Sequence, residues 1–195
     1  MAKLRFTYGT MCTGKSLQLL TTIYNFEQRG IKTLCLKSSL DTRDKDKIRS
    51  RVSDKLSRDC ILINEKTDLH KMLSDRDDIS DIKWIFLDEA QFLTEEQVNQ
   101  LSDIVDYLNI EVWCFGLRTD FKTQLFPGSK RLFELADKID CLKSSCECGR
   151  KNVVNARISP DGKLVLNGLQ IETGDSNYIS ICRKCYKEML KTKTI

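Results

Sequence analysis

The chain has 195 residues, 41% hydrophobic and 31% charged, which is enough apolar mass for a real core and excludes a disordered chain. Its 32 basic and 28 acidic residues leave a net charge of +4. Basic stretches such as Arg49-Ser50-Arg51 stand beside acidic ones such as Asp75-Arg76-Asp77-Asp78, so a solvated surface of mixed sign is expected and no nucleic-acid partner. No apolar run reaches the roughly 18 residues of a membrane-spanning helix. Met1-Ala2-Lys3-Leu4-Arg5-Phe6 has no signal-peptide pattern, so a cytoplasmic protein with no membrane partner is expected.

In chain order, Leu4 to Tyr8 reads as a strand, Gly9 to Thr13 as a loop and about Gly14 to Gln28 as a helix. Its apolar face is Leu19, Leu20, Ile23 and Phe26. Ile31 to Lys37 is a second strand. Residues 40–59 are strongly charged and read as a surface excursion. Cys60 to Ile63 is a short strand and Lys66 to Leu73 a helix. The only histidine, His70, falls there at the surface.

Trp84 to Leu87 is apolar without alternation, as a strand buried on both faces should be. Thr94 with Gln97 three residues on forms a capping-box pattern, and Val98, Leu101, Ile104 and Val105 give the following helix its stripe. Ile110 to Phe115 is another buried strand, so Trp84 and Trp113 belong to the core. Lys130 to Ala136 is a helix. Alternating strands and helices imply an α/β fold with a parallel sheet. Helical periodicity stops near residues 140–145. The expected division is a nucleotide-binding domain over 1–143 and a second domain over 144–195.

Gly9-Thr10-Met11-Cys12-Thr13-Gly14-Lys15-Ser16 matches G-x-x-x-x-G-K-[ST] between a strand and a helix. Such a loop curls its amides inward into an anion nest at a helix N-terminus. Lys15 is a cation for the β- and γ-phosphates, and Ser16 offers a hydroxyl to Mg²⁺. The strand at Trp84 ends in Asp88-Glu89, at the edge where parallel sheets bind ligands. Asp88 is placed to hold Mg²⁺. Glu89 can activate water, giving an ATPase, or a bound hydroxyl, giving a kinase.

Of nine cysteines, five are scattered. Cys35 and Cys114 sit in apolar runs and read as small buried hydrophobes. Cys146, Cys148, Cys182 and Cys185 form two close pairs, which in a reducing compartment point to a closed four-sulfur zinc site of structural role. A redox reading of Cys182-Arg183-Lys184-Cys185 would leave the first pair unexplained.

In combination, these motifs resemble the type II, zinc-containing thymidine kinases. The resemblance is carried by Gly9 to Ser16, Asp41-Thr42-Arg43, Asp88-Glu89-Ala90-Gln91-Phe92, Gly116-Leu117, Asp120-Phe121, Cys146 to Gly149, and Gly174 through Tyr178 to Cys185-Tyr186. It implies a RecA-like P-loop sheet with flanking helices, and a small zinc-ribbon domain whose lasso loop covers the nucleoside. It implies that Glu89 is the base on the thymidine 5′-hydroxyl. ATP and Mg²⁺ would be held by Gly9 to Ser16 with Asp41, Arg43, Asp88 and Gln91. Met11, Phe92, Leu117, Phe121, Phe126 and Tyr178 would surround the base, with lasso residues Leu169, Gln170, Ile171, Glu172 and Thr173 reading its edge. A homotetramer inhibited by thymidine triphosphate is implied as well. Arg118 stands where many members carry an acid, and it either contacts phosphate or lies at the surface. The alternative is a zinc-ribbon P-loop ATPase stimulated by nucleic acid, and a further one is a metal-stabilised binding module.

Overall fold

The computed structural model describes residues 1–42, 44–53, 55–171 and 177–191. The strands and helices are β1 (Leu4–Gly9), α1 (Lys15–Glu27), β2 (Thr33–Ser38), β3 (Lys47–Arg49), β4 (Ser57–Asp59), β5 (Ile61–Ile63), α2 (Leu69–Ser74), β6 (Trp84–Asp88), α3 (Glu95–Leu108), β7 (Glu111–Leu117), α4 (Pro127–Leu135), β8 (Lys138–Cys141), β9 (Val154–Ile158), β10 (Asn177–Ile181) and α5 (Arg183–Lys191). Six strands form one sheet in the order β5-β2-β6-β7-β1-β8, with every pairing parallel. The edge strand β8 and helix α5 lie where the sequence showed no clear period.

Strand alternation divides the core into two layers. Leu4, Phe6, Leu36, Ile85, Leu87, Val112 and Cys114 face one side, where Leu69 and Leu73 of α2, Val98, Leu101 and Ile104 of α3 and Leu132 of α4 cover them. Cys35, Phe86 and Phe115 face the other side, against Leu19, Leu20 and Ile23 of α1. The capping box of α3 is present: Thr94 Oγ1 accepts from the Gln97 amide at 3.1 Å, and Gln97 Oε1 accepts from the Thr94 amide at 3.1 Å. Such a cap contributes about 1 kcal/mol. Trp84 and Trp113 are half-buried in an aromatic row with Phe26, Phe86 and Phe115, and the Arg5 guanidinium lies 4.9 Å from the Trp84 ring centre. His70 is exposed.

Residues 40–59 are not merely a surface excursion. β3 and β4 form an antiparallel hairpin, and Ile48, 1% exposed, packs into the α1 layer. One buried isoleucine among many charges left no periodic signal. Beyond β8 the chain builds a second, two-stranded antiparallel sheet, β9 with β10. Its small core is Val154, Ala156, Leu164 and Ile181 together with Cys146 and Cys182. Among the described residues, no helix is long and apolar enough to cross a membrane.

Candidate active site

β1, β2, β6 and β7 end at one edge of the sheet. Gly9 closes β1, and the loop turns into α1 with Cys12 at φ 59° and Gly14 at φ 82°. Alternating handedness of this kind turns successive amides toward a common centre. Lys15, 9% exposed, donates to the Thr10 carbonyl at 2.8 Å. Burial pulls its ammonium below the ordinary lysine range, while Glu89 and Asp88 oppose that pull.

Asp88, the last residue of β6, accepts the Ser16 hydroxyl at 2.9 Å on Oδ2 and the Glu89 amide at 3.0 Å on Oδ1. Burial first, then the neighbouring Glu89 charge, raises the Asp88 carboxyl well above the usual carboxylate range. Glu89 itself takes φ 55°, a left-handed conformation that a side chain tolerates at a cost of about 1–2 kcal/mol. The single 3₁₀ turn Ala90–Phe92 follows at once.

Gln91 is buried and does not face the phosphate loop. Its Nε2 donates to Glu89 Oε2 at 2.5 Å, and its Oε1 accepts from the Leu117 amide at 2.9 Å. The Glu89 carboxylate is thereby fastened to the end of β7. Close approach makes this arrangement work. A Cβ on Gly116 would lie 2.8 Å from Gln91 Oε1, and one on Gly128 would lie 2.7 Å from the Ala90 carbonyl.

A cavity of about 320 Å³ opens over these groups, lined by residues 11–17, Lys37, Asp41, Asp44, residues 48–52, Asp88, Glu89 and Leu117. Lys37 is a residue that the sequence reading missed, because it looked like an ordinary strand end. It is 2% exposed, pairs with Asp41 at 3.1 Å and donates to the Lys47 carbonyl at 3.1 Å. It ties the Asp41 loop to the β3 hairpin. Arg49, Ser50 and Arg51, read as plain surface, line the cavity instead, and Arg51 Nη1 donates to Cys12 Sγ at 3.1 Å. Arg43 lies outside the described residues.

The second sheet presents its inner face to the same loop. The Met11 amide donates to Asn155 Oδ1 at 2.8 Å, and the Met11 carbonyl accepts from Ser180 Oγ at 2.9 Å. Phe121 is buried, with Arg157 above its ring, and Tyr178 is half-buried. Gln170 Nε2 donates to Asp120 Oδ2 at 2.9 Å, while Leu169 is exposed and Ile171 half-buried. Phe92 and Phe126 meet edge to face at 5.8 Å. Glu172 and Thr173 lie outside the described residues. Arg118 neither reaches the cavity nor lies free at the surface: it is half-buried and donates to the Val153 carbonyl at 3.2 Å.

Cys146, Cys148, Cys182 and Cys185 bring four sulfurs within 4.8 Å of one another. The Cys146–Cys185 and Cys148–Cys182 sulfurs are 3.8 and 3.5 Å apart. Four sulfurs about 2.3 Å from a central ion stand roughly 3.8 Å apart, so the cluster fits a tetrahedral metal. The Cys185 amide points at Cys182 Sγ from 3.4 Å and is the main cause that holds this thiol down at about 6. The charge is also less even than the sequence first suggested. Residues 144–195 hold nine basic against five acidic residues, so the whole net charge of +4 resides there. Arg150, Lys151, Arg183, Lys184, Lys187 and Lys191 border a groove beside Cys182.

The sequence profile described as thymidine kinase matches residues 2–186. The thymidine kinase of Enterobacteria phage T4 is 44% identical over 192 residues, covering 98% of each chain. That of Yersinia pseudotuberculosis is 43% identical over 193 residues, covering 98% of this chain and 97% of the relative. That of Haemophilus influenzae is 42% identical over 190 residues, covering 96% and 97%. With a phosphate loop, an acid pair and a four-sulfur cluster in one fold, and with similarity over nearly the full length, the chain belongs to the thymidine kinase family.

Proposed function

We propose that the protein transfers the γ-phosphate of ATP to the 5′-hydroxyl of thymidine, making thymidine monophosphate in nucleoside salvage. The observation that carries this reading is a single cavity bordered at once by the phosphate loop and by the Glu89 carboxylate.

The roles follow from the chemistry of each group. The loop amides of residues 9–16 hold the β- and γ-phosphates. Lys15 exchanges the Thr10 carbonyl for a phosphate oxygen. Magnesium arriving with ATP neutralises phosphate charge, and the Ser16 hydroxyl and Asp88 carboxylate would hold it. Asp41 and Arg43 belong to the transfer region, with Arg51 adding positive charge at its rim. Glu89 takes the proton of the sugar hydroxyl as the oxygen bonds to the γ-phosphorus and the bridging bond to ADP breaks. Gln91 serves that step by holding the carboxylate, which replaces its expected role at ATP. Met11, Phe92, Leu117, Phe121, Phe126 and Tyr178 enclose the base, and residues 169–173 cover it.

The four cysteines would hold zinc as a structural ion. A divalent ion with four thiolates carries two net negative charges, which the surrounding lysines and arginines offset. The working division is residues 1–143 for nucleotide and 144–195 for the nucleoside cover. The family resemblance adds a cytoplasmic homotetramer under feedback by thymidine triphosphate.

Incubation with labelled ATP and a panel of nucleosides, with and without DNA, tests the reading. Labelled thymidine monophosphate is the expected product. Phosphate release that requires DNA would establish the ATPase instead. A pocket that merely accommodates the 5-methyl group discriminates by about 10- to 200-fold. Deoxyuridine is therefore expected to be phosphorylated with kcat/KM lower by that order. Gly116→Ala is expected to lower kcat by about tenfold to a hundredfold, because the added methyl displaces Gln91 and with it Glu89. An unchanged kcat would separate Gln91 from the chemistry.

A further inference from the structure

Arg157 is a strong polar feature that the reaction above leaves unused. It sits on β9 at 3% exposure. A guanidinium so far from water is costly unless its donors and its charge are met. Here Nε and Nη2 donate to the Tyr178 hydroxyl at 2.9 and 2.7 Å, and Nη2 also donates to the Leu169 carbonyl at 3.2 Å. The guanidinium carbon lies 3.8 Å from the Phe121 ring centre and 5.3 Å from that of Tyr178. Three segments therefore converge on one side chain: the turn bearing Phe121, the chain at Leu169, and β10 at Tyr178. Leu169 opens the segment read above as the nucleoside cover, and Tyr178 is one of the residues read as enclosing the base. Gln170 adds a second tether, to Asp120.

The register gives this placement its meaning. Arg157 stands opposite Tyr178 in the β9–β10 ladder, and Asn155 stands opposite Ser180. Residues two apart share a face, with their backbones about 7 Å apart. One cross-strand pair thus grips Met11 of the phosphate loop, and the next, Arg157 with Tyr178, holds the chain at Leu169.

We propose that Arg157 is the positioning residue of the nucleoside pocket: its guanidinium fastens Leu169 and Tyr178 to Phe121 and so sets nucleoside affinity, while the Asn155–Ser180 pair serves the phosphate side. The inference rests on the nucleoside-kinase reading. It requires arginine in particular. A planar fork stacks on Phe121 while donating in its own plane to Tyr178 and Leu169, and a lysine ammonium cannot do both.

Arg157→Lys and Arg157→Met, assayed in the full chain with ATP and thymidine, test it. Arg157→Lys is expected to raise KM for thymidine by about tenfold or more, with KM for ATP and kcat at saturation within about threefold of wild type. Arg157→Met is expected to raise it further. If the methionine variant does not fold, the lysine variant decides. Tyr178→Phe on top of Arg157→Lys is expected to add little, since both remove one unit of contact. A thymidine KM within twofold of wild type in Arg157→Lys overturns the inference. So does a parallel rise in both Michaelis constants with a lowered melting temperature, which is what a merely structural arginine would give. A wild-type protein that phosphorylates no nucleoside removes the underlying reading and this inference with it, whereas an active wild type with an unaffected lysine variant removes the inference alone.

Discussion

Glu89→Gln is expected to lower kcat by about 10²- to 10⁴-fold, with ATP binding by calorimetry changed by no more than a few-fold. The amide has the shape of the carboxylate and keeps an acceptor for the Gln91 Nε2 hydrogen now directed at Glu89 Oε2. The turn therefore survives while the capacity to take a proton is lost. Glu89→Gly separates chemistry from folding more sharply. At φ 55° glycine carries no steric penalty, so relief of about 1–2 kcal/mol of strain offsets part of the lost contacts. The glycine variant should be as inactive as the glutamine one while melting close to wild type. Turnover near the wild-type rate in Glu89→Gln would remove Glu89 from its role.

What could be read in advance followed from locality. The phosphate loop and the Asp88-Glu89 pair are contiguous in sequence, and each is announced by the strand before it. The α3 cap needed only Thr94 and Gln97. The unread features depend on contacts between distant segments. Asn155 and Ser180 meet Met11 across 144 and 169 residues. Arg157 looks like any surface cation until β9 and β10 pair. Lys37 seemed to end a strand at solvent, and only the β3 hairpin folding over it turns it into a buried anchor. That hairpin escaped notice because its charges serve the cavity and it gives the core little more than Ile48 and the half-buried Leu56. The contacts of Gln91 were hidden for the same reason: the Leu117 amide that draws it inward lies at the end of β7.

Loss of a metal held by the four cysteines would loosen both proposed substrate sites, and not the nucleoside cover alone. Two of the six buried residues in the small core are the ligands Cys146 and Cys182. Val154, Leu164 and Ile181 contribute about 1.5–3 kcal/mol each, and a two-stranded ribbon is marginal by itself. A structural zinc site supplies an apparent stabilisation of about 10–16 kcal/mol, so an ion bound by the four cysteines would outweigh the apolar contacts as the support of this lobe. Cys182 directly follows β10, which carries Ser180. Chelation or Cys182→Ser is therefore expected to release the Ser180 hydroxyl from the Met11 carbonyl, and Asn155 from the Met11 amide. Hydrogen exchange reads this without any activity: β9 and β10 amides lose protection while β1, β6 and β7 keep theirs. ATP affinity should fall by about fivefold to tenfold, the equivalent of one or two lost hydrogen bonds. Full protection of β9 and β10 after metal removal, or unchanged ATP affinity once they have melted, would show that the phosphate loop holds its shape without the second sheet.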